Sequence, residues 1–378
     1  MDEGLCGGDE YFDQKLLELS QKYSFGSRKA TNFTFTGIEM SQRGDKGIIL
    51  SQSQYVRDIP AISIDPNRRT TPDEPVTEQE RRALRGLIGS LQYAATNTRP
   101  DISSQLSHLQ SAINQATVST LMQGNKTLHE AKRHHDVSVT IHPIACEDLR
   151  FLAFSDASFA SKKVPQSHAG MIILTTHRDI AKNVSCPVSP ISWGCKKIQK
   201  VVTSTLSAET MALTSTLDQL SWLRLFWSWL MDTSVKWQKP SESLKVLPPA
   251  FASPTVKAQT LPESITAVDC KSLYDLVTRT APQCAEFRTQ LHARSIKDML
   301  AENTTLRWVH SGAQLADALT KVMEASFLRH TLKIGKYRLN DELEILKQRS
   351  NNRNCLKWLK SSCEAEASCS DQCMLCMF

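Results

Sequence analysis

The chain has 378 residues, of which 40% are hydrophobic and 22% are charged, and its formal net charge is +6 at pH 7. This length allows two or three domains with apolar cores, and the composition excludes a disordered or fibrous protein. The mild positive charge is compatible with a phosphate-rich partner but does not require one.

Membrane and secretory classes are not indicated. No run of 18 apolar residues is present, so we expect no α-helical membrane span and no membrane partner. Four of the eleven cysteines fall singly in apolar segments, which is typical of small buried side chains in a reducing compartment: Cys186, Cys195, Cys270 and Cys284. We therefore expect an intracellular protein, cytoplasmic or nuclear.

The cysteine-rich tail has one pair with the spacing of zinc ligands, Cys373 and Cys376. No second pair of suitable spacing and no neighbouring histidine supports a zinc site there. A frayed tail is the favoured interpretation.

The first part of the chain has α+β and then helical character. The patterns predict a helix at 11–23, a strand at 32–40 and a strand at 46–50 that pairs with it. Three prolines at 61–77 indicate a linker, and helices are predicted at 77–95, 101–112 and 118–136. We divide this part into 1–60 and a helical connection at 61–148.

From residue 149 the chain alternates strands and helices. A nearly continuous apolar run at 149–155 predicts a central strand that is covered on both faces. Further strands are predicted at 169–176, 191–195, 264–269 and 305–309, and helices at 205–232, 273–280, 286–301 and 313–327. This succession of five strands and four helices predicts an α/β domain at 149–330, with a mixed five-stranded sheet and helices on both faces. A proline-rich segment at 233–262 is expected to be an exposed insertion, and 331–378 to be a C-terminal extension.

The long predicted helix carries a second apolar set beside the stripe that faces the sheet. This set is Trp222, Phe226 and Trp229. We expect the helices at 81–136 or the insertion at 233–262 to cover it.

Four carboxylates lie where apolar elements begin or end. Asp156 and Asp269 each close a predicted strand, Glu209 is at the start of the long helix, and Asp317 lies in the last predicted helix. Oxygen ligands of this kind suit hard cations, and two such ions about 4 Å apart can hydrolyse a phosphodiester. We therefore expect the four carboxyl groups to converge, and their mutual repulsion to raise at least one pKa.

Five segments in a fixed order carry a resemblance to a known family. They are FSDASFA at 154–160, ISWGCKK at 191–197, TLSAE at 205–209, VD at 268–269 and LADALTK at 315–321. Together they resemble the ribonuclease H domain that closes the polyproteins of copia-type LTR retrotransposons. The upstream segments LIGSLQYAA at 87–95 and TRPDI at 98–102 resemble the link between reverse transcriptase and ribonuclease H in the same family.

The resemblance implies a ribonuclease H-like fold, preceded by a partial polymerase thumb-connection region, and a metal-dependent cut in the RNA strand of an RNA/DNA hybrid. Two Mg²⁺ or Mn²⁺ ions would be held by the four acids. Asp156 would contact both ions, Glu209 and Asp269 the first, and Asp317 the second.

The same resemblance implies contacts with nucleic acid and with other chains. Lys196, Lys197 and Lys200 precede the helix of Glu209 and would lie along the hybrid backbone, giving positioning without sequence readout. Other retrotransposon polyprotein chains are the further expected partners. Residues 1–60 would correspond to the end of a reverse transcriptase without fingers and most of the palm, so polymerase activity is not expected from this chain.

Two departures from the family pattern concern single residues, and the truncated start and the unpatterned tail leave an alternative function open. Met211 stands where the family usually has a second acidic residue after the helix glutamate. His310 lies near the position of a mobile histidine in some cellular ribonucleases H, although a loop histidine of no special role is favoured. The alternative function is a catalytically inactive retroelement remnant that keeps the fold and nucleic-acid binding.

Overall fold

The computed structural model describes residues 5, 7–8, 10–26, 28–160, 166–231, 261–279, 284, 286–301, 303–321 and 325–340. Two segments lie outside the described residues: the predicted insertion at 233–262, except for 261–262, and the C-terminal segment from 341 onward.

The strands in these parts of the chain, in order, are β1 (Asn32–Phe35), β2 (Ile38–Gln42), β3 (Ile48–Ser51), β4 (Ser138–Ile141), β5 (Leu149–Ser158), β6 (His168–His177), β7 (Cys186–Lys197), β8 (Ser264–Val268), β9 (Thr304–Trp308) and β10 (Lys336–Tyr337). The α-helices are α1 (Glu10–Lys22), α2 (Ser53–Asp58), α3 (Pro66–Arg69), α4 (Glu78–Asn97), α5 (Ser103–Ala112), α6 (Val118–Arg133), α7 (Thr205–Met231), α8 (Lys271–Thr278), α9 (Phe287–Leu300), α10 (Asp317–Thr320) and α11 (Ser326–Ile334). Short 3₁₀ helices are formed by Pro100–Ile102, Ile113–Gln115, Arg178–Lys182 and Ser311–Ala313.

The large sheet has the strand order β10-β7-β6-β5-β8-β9. Strands β5, β6 and β7 form an antiparallel meander, whereas β8 and β9 run parallel to β5. The predicted mixed sheet of five strands is confirmed, and the two-residue strand β10 extends it at the β7 edge. This arrangement is the predicted ribonuclease H-like α/β fold.

Both faces of the central strand β5 are buried, because helices cover the sheet on either side. Leu152 and Phe154 belong to one core cluster, which α11 completes, and Phe151 and Ala153 belong to another, which α7, α8 and α9 complete. The alternation of these side chains along one strand explains why the sequence shows a continuous apolar run there.

A smaller antiparallel sheet joins the two predicted parts of the N-terminal region. Its order is β1-β2-β3-β4, and β4 comes from the end of the helical connection, with Ile48 opposite Ile141. The predicted single strand at 32–40 is wrong. The chain turns at Thr36 and Gly37, where φ is +49° and +79°, so two short strands replace one. Glycine adopts this left-handed conformation without steric cost.

The predicted linker at 61–77 is held against the helical connection. Ile62, Ile64 and Val76 are buried in a core cluster with the apolar faces of α4 and α6. Helix α4 begins with a capping box in which Thr77 and Glu80 satisfy each other's backbone N–H groups. The proline-rich composition therefore marks turns and not a free segment. The division at residues 60, 148 and 330 stays a prediction.

The predicted helix at 313–327 is also wrong as a single element. The chain forms a 3₁₀ turn at Ser311–Ala313 and is extended at Gln314, before α10 and α11 follow as separate helices. Leu315 and Ala316 are fully buried in the core beside β5. Burial of these two side chains outweighs the local helix pattern.

The helices at 81–136 do not cover Trp222, Phe226 and Trp229, and the other predicted cover, the insertion at 233–262, lies outside the described residues except for 261–262. Trp222 is 57% exposed and Trp229 is 39% exposed. The three rings contact one another, with centroids 5.4 Å apart for Trp222 and Phe226 and 6.0 Å apart for Phe226 and Trp229. Helix α7 meets the sheet through its other side, which carries Leu217 and Leu220.

No helix in the described residues is long and apolar enough to cross a membrane.

A buried ionic cluster fixes the helical connection to the C-terminal helix α11. Asp101 is fully buried and accepts hydrogen bonds from Arg99 at 2.8 and 2.9 Å and from Arg329 at 2.9 Å. Arg329 also donates to Glu130 of α6 at 3.0 Å. Burial alone raises the pKa of Asp101, but the two guanidinium groups outweigh it and hold that pKa below its usual value.

Replacing this carboxylate should destabilise the protein strongly. In the Asp101→Asn variant, Arg99 keeps its buried charge without an anion and Arg329 keeps only Glu130, so we expect a loss of about 3–5 kcal/mol in the free energy of unfolding. Urea denaturation at pH 7 measures the change. The control is Asp179→Asn, which breaks the exposed pair with Lys182 and should alter stability far less. Equal effects of the two variants would contradict the assigned role of Asp101.

Candidate active site

The register of two parallel strands brings Asp156 and Asp269 to the same edge of the sheet. The pairing of β5 with β8 ends with Phe154 opposite Ala267, and each aspartate lies two residues beyond that pair. Asp156 is buried and Asp269 is half-buried. Strand pairing therefore places two carboxylates side by side without any loop between them.

Helix α7 supplies the third carboxylate. Glu209 lies in its second turn and is only 6% exposed. The small residues Ala208 and Ala212 pack against Ala157 of β5, which allows the helix to approach the strand closely. One oxygen from each of Asp156, Glu209 and Asp269 lies within 4.8 Å of the others. These three of the four predicted acids converge as expected.

Asp317 lies next to this cluster, beside Asp156. It opens α10, interacts with Asp156, and is hydrogen-bonded by the ammonium group of Lys321 one turn later. The Lys321 ammonium is also 3.8 Å from Asp156 Oδ2. Thr320 donates a hydrogen bond to the same oxygen of Asp156.

Gly170 makes this close approach possible. It is the partner of Asp156 across β5 and β6. A Cβ atom at this position would come within 2.6 Å of Thr320 Cγ2 and 3.0 Å of Leu319 Cβ. A strand glycine of this kind marks a place where another segment packs directly on the backbone, and here that segment carries Asp317, Thr320 and Lys321.

Burial is the largest electrostatic effect at the site. It raises the pKa of Asp156 to about 7, with further increases from Asp317 and Asp269 that are opposed by Lys321 and Thr320. Burial also raises the pKa of Glu209 to about 9, and the charges of Asp156 and Asp269 add to it. The expected increase is thus confirmed, although desolvation contributes more than the repulsion from which we predicted it.

The donor set fits a hard divalent cation. All of the converging ligands are carboxylate oxygens, which Mg²⁺ and Mn²⁺ prefer. Glu209 Oε2 is buried and has no hydrogen-bond partner among the described residues. An orphaned carboxylate oxygen that faces two other carboxylates is an unfavourable arrangement for the protein alone, and a cation would relieve it.

The three predicted nucleic-acid lysines lie at the end of β7 and just beyond it. Lys196, Lys197 and Lys200 are exposed and line a cleft of about 570 Å³ between the sheet and α7. Met211 and Gly170 also line this cleft, and Gly170 is the neighbour of Asp156. The cleft therefore extends from the lysines to the edge of the carboxylate cluster without including the carboxylates themselves.

Two residues of the site, Thr320 and Lys321, were not predicted from the sequence to be functional. His310, which was considered there, has a local structural role. Thr320 and Lys321 lie in the LADALTK segment, and the spacing of four between Asp317 and Lys321 is a recognisable ion-pair signal. His310 accepts a hydrogen bond from the Gly312 N–H at 3.0 Å and caps the 3₁₀ turn there.

Comparisons with known proteins agree with the resemblance. No family model matches the chain. It is 28% identical over 232 residues to the Retrovirus-related Pol polyprotein from transposon RE1 of Arabidopsis thaliana, and 27% identical to that from transposon RE2. Each match covers 58% of this chain but only 15% of the relative. The predicted resemblance to a retrotransposon polyprotein is confirmed.

Solved structures with partial likeness include two kinds of protein. One is RNase H1 from the halophilic archaeon Halobacterium salinarum NRC-1, at 13% identity and a TM-score of 0.28, covering 45% of this chain and 93% of that one. Another is a foamy viral protease-reverse transcriptase in complex with dsDNA, at 14% identity and a TM-score of 0.36, covering 75% and 45%.

The raised pKa values predict how stability depends on pH in the absence of metal. A carboxyl group whose pKa is higher in the folded than in the unfolded chain binds its proton more tightly when folded. Its contribution is therefore present at low pH and is lost as pH rises from about 4.5 towards the folded values of about 7 and 9. We expect Glu209→Gln to stabilise the metal-free protein at pH 8.5 by at least about 1.4 kcal/mol, the equivalent of one pKa unit.

Urea denaturation with a chelator at pH 4.5 and pH 8.5 tests this expectation. The variant should differ from the parent at the higher pH and resemble it at the lower one. Glu78→Gln, at an exposed position of α4, is the matched control and should show no such pH dependence. A Glu209→Gln variant that is less stable than the parent at pH 8.5 would rule out an uncompensated carboxylate at this position.

Proposed function

We propose that this chain carries the ribonuclease H part of a retrotransposon Pol polyprotein and hydrolyses the RNA strand of an RNA/DNA hybrid. The observation that carries the proposal is the convergence of Asp156, Glu209 and Asp269 within 4.8 Å at one sheet edge. The similarity to two retrotransposon Pol polyproteins supports it.

The proposed cofactor is a pair of Mg²⁺ or Mn²⁺ ions, which would activate a water and stabilise the leaving oxygen of the phosphodiester. Asp156, Glu209 and Asp269 would hold the first ion, and Asp156 and Asp317 the second. Thr320 fixes the carboxylate of Asp156 through a hydrogen bond, so its role would be to position a metal ligand. Hydrolysis would leave a 3′-hydroxyl and a 5′-phosphate.

The substrate would lie along the basic cleft. Lys196, Lys197 and Lys200 offer charge to phosphates, which orients a duplex but carries no sequence information. Selection of a hybrid would depend on groove shape and on the 2′-hydroxyl groups of the RNA strand. Other chains of a retrotransposon polyprotein are proposed as partners in the same process.

Asp156→Asn should abolish cleavage while it preserves the fold. The substitution keeps the side-chain size and removes the charge that both ions would share, so we expect the rate to fall on the order of 100-fold or more. The assay follows a labelled RNA/DNA hybrid with the full chain in Mg²⁺ or Mn²⁺. Single-stranded RNA and duplex DNA should resist, and Ca²⁺ should not support turnover.

Asp136→Asn, at an exposed aspartate before β4, is the control and should cleave as the parent does. Undiminished cleavage by Asp156→Asn would indicate another site or another nuclease. A parent chain that binds metal and hybrid but does not cut would favour the alternative, an inactive remnant that keeps the fold and nucleic-acid binding.

The three lysines should contribute to binding through charge alone. Combined replacement of Lys196, Lys197 and Lys200 by Gln should weaken hybrid binding and lower the salt dependence of log Kd by roughly 0.9 for each phosphate that is no longer neutralised. Fluorescence anisotropy in Ca²⁺ at several salt concentrations measures both quantities. The control is Lys182→Gln, at an exposed lysine that ends the 3₁₀ helix between β6 and β7. An unchanged salt slope in the triple variant would place the nucleic acid elsewhere.

A further inference from the structure

A lysine side chain occupies one end of the carboxylate cluster. The Lys321 ammonium is 3.8 Å from Asp156 Oδ2 and hydrogen-bonds to Asp317 Oδ1. The lysine directly follows α10, and its backbone N–H donates to the carbonyl of Asp317 at 3.1 Å. The backbone hydrogen bond therefore fixes the position of the Lys321 Cα atom, and the side chain places its ammonium group between the carboxylates of Asp156 and Asp317.

At the other end of the cluster, no cation of the described residues forms an ion pair with Glu209. Glu209 Oε2 is buried and has no hydrogen-bond partner there, although it belongs to the group of three carboxylates with Asp156 and Asp269. Asp317 is not a member of that group. Lys321 thus pairs with Asp156 and Asp317, whereas Glu209 keeps a buried oxygen without a partner in the described part of the chain.

We propose that Lys321 is a built-in competitor of the second metal ion. The first divalent ion binds to Asp156, Glu209 and Asp269, and a second binds between Asp156 and Asp317 only when the Lys321 ammonium leaves. This inference rests on the proposed function, because it concerns the ions that the proposed reaction uses.

The side chain is able to leave. Lys321 is 43% exposed, whereas Asp156 beside it is buried. A lysine has a flexible four-carbon stem and a strongly hydrated ammonium group, so rotation into water is an available motion that keeps the charge solvated. The lysine therefore does not block the second position permanently but lowers the affinity of an ion for it.

Removal of the lysine charge should tighten the second ion specifically. In Lys321→Met the stem is kept and the charge is removed, and we expect the second Mn²⁺ to bind at least about tenfold more tightly, the change given by about 1.4 kcal/mol. The first ion should be affected less, since it is held mainly by Glu209 and Asp269. Lys321→Arg keeps the charge and should leave the second site weak.

The experiment is a Mn²⁺ titration of the full chain, followed by calorimetry and by the electron paramagnetic resonance signal of free Mn²⁺. The parent should bind one ion tightly and one weakly. The control Lys182→Met removes a lysine from a comparable pair, with Asp179 three residues earlier, and should match the parent. Lys321→Gln is a second neutral variant, for use if Lys321→Met does not fold, as judged by thermal unfolding.

The outcomes separate this inference from the proposed function. If neither neutral variant binds the second ion more tightly relative to the first, the competitor role is overturned, even when the parent cleaves the hybrid. If the second site tightens but neither the parent nor a variant cleaves the hybrid, the competitor role stands and the proposed function fails. If no variant binds Mn²⁺, both are overturned.

Discussion

The parallel pairing of β5 with β8 forces two carboxylates together at the edge of a buried sheet. Because the pairing ends with Phe154 opposite Ala267, the backbone positions of Asp156 and Asp269 are fixed relative to each other. The other features of the site adapt to this constraint. Small residues on α7 admit Glu209, and a glycine on β6 admits the segment with Asp317. Strand register therefore determines where the site forms, and side-chain chemistry has the smaller influence on its position.

The free-energy cost of burying these carboxylates is not offset equally at each of them. Thr320 and Lys321 satisfy Asp156 and Asp317, whereas Glu209 keeps a buried oxygen without a partner in the described part of the chain. Regions in which a fold leaves polar groups unsatisfied are often those that function requires. By contrast, the buried Asp101 is fully paired by Arg99 and Arg329, which is the pattern expected of a structural ion cluster.

The sheet and the three converging acids can be predicted from the sequence because the patterns that indicate them are local. A continuous apolar run marks β5, and an acid at the end of a strand needs only the strand to be placed. The surroundings of Asp317 are not local in this sense. The pattern at 313–327 favours one helix, and only the burial of Leu315 and Ala316 against β5 reveals the break that brings Thr320 and Lys321 to Asp156. The exposure of Trp222 likewise depends on which elements pack beside α7, and a helix pattern alone carries no such information.

The ion cluster at Asp101 can be completed only late in synthesis, because its members are far apart in the chain. Arg329 is made 228 residues after Asp101, and at 5–20 residues per second this corresponds to a delay of roughly 11–46 s. Over that period Asp101 has only Arg99 as a cationic partner from this cluster. The helical connection can form early from its own contacts, but it gains its last ion pair only after strands β5 to β9 have been synthesised.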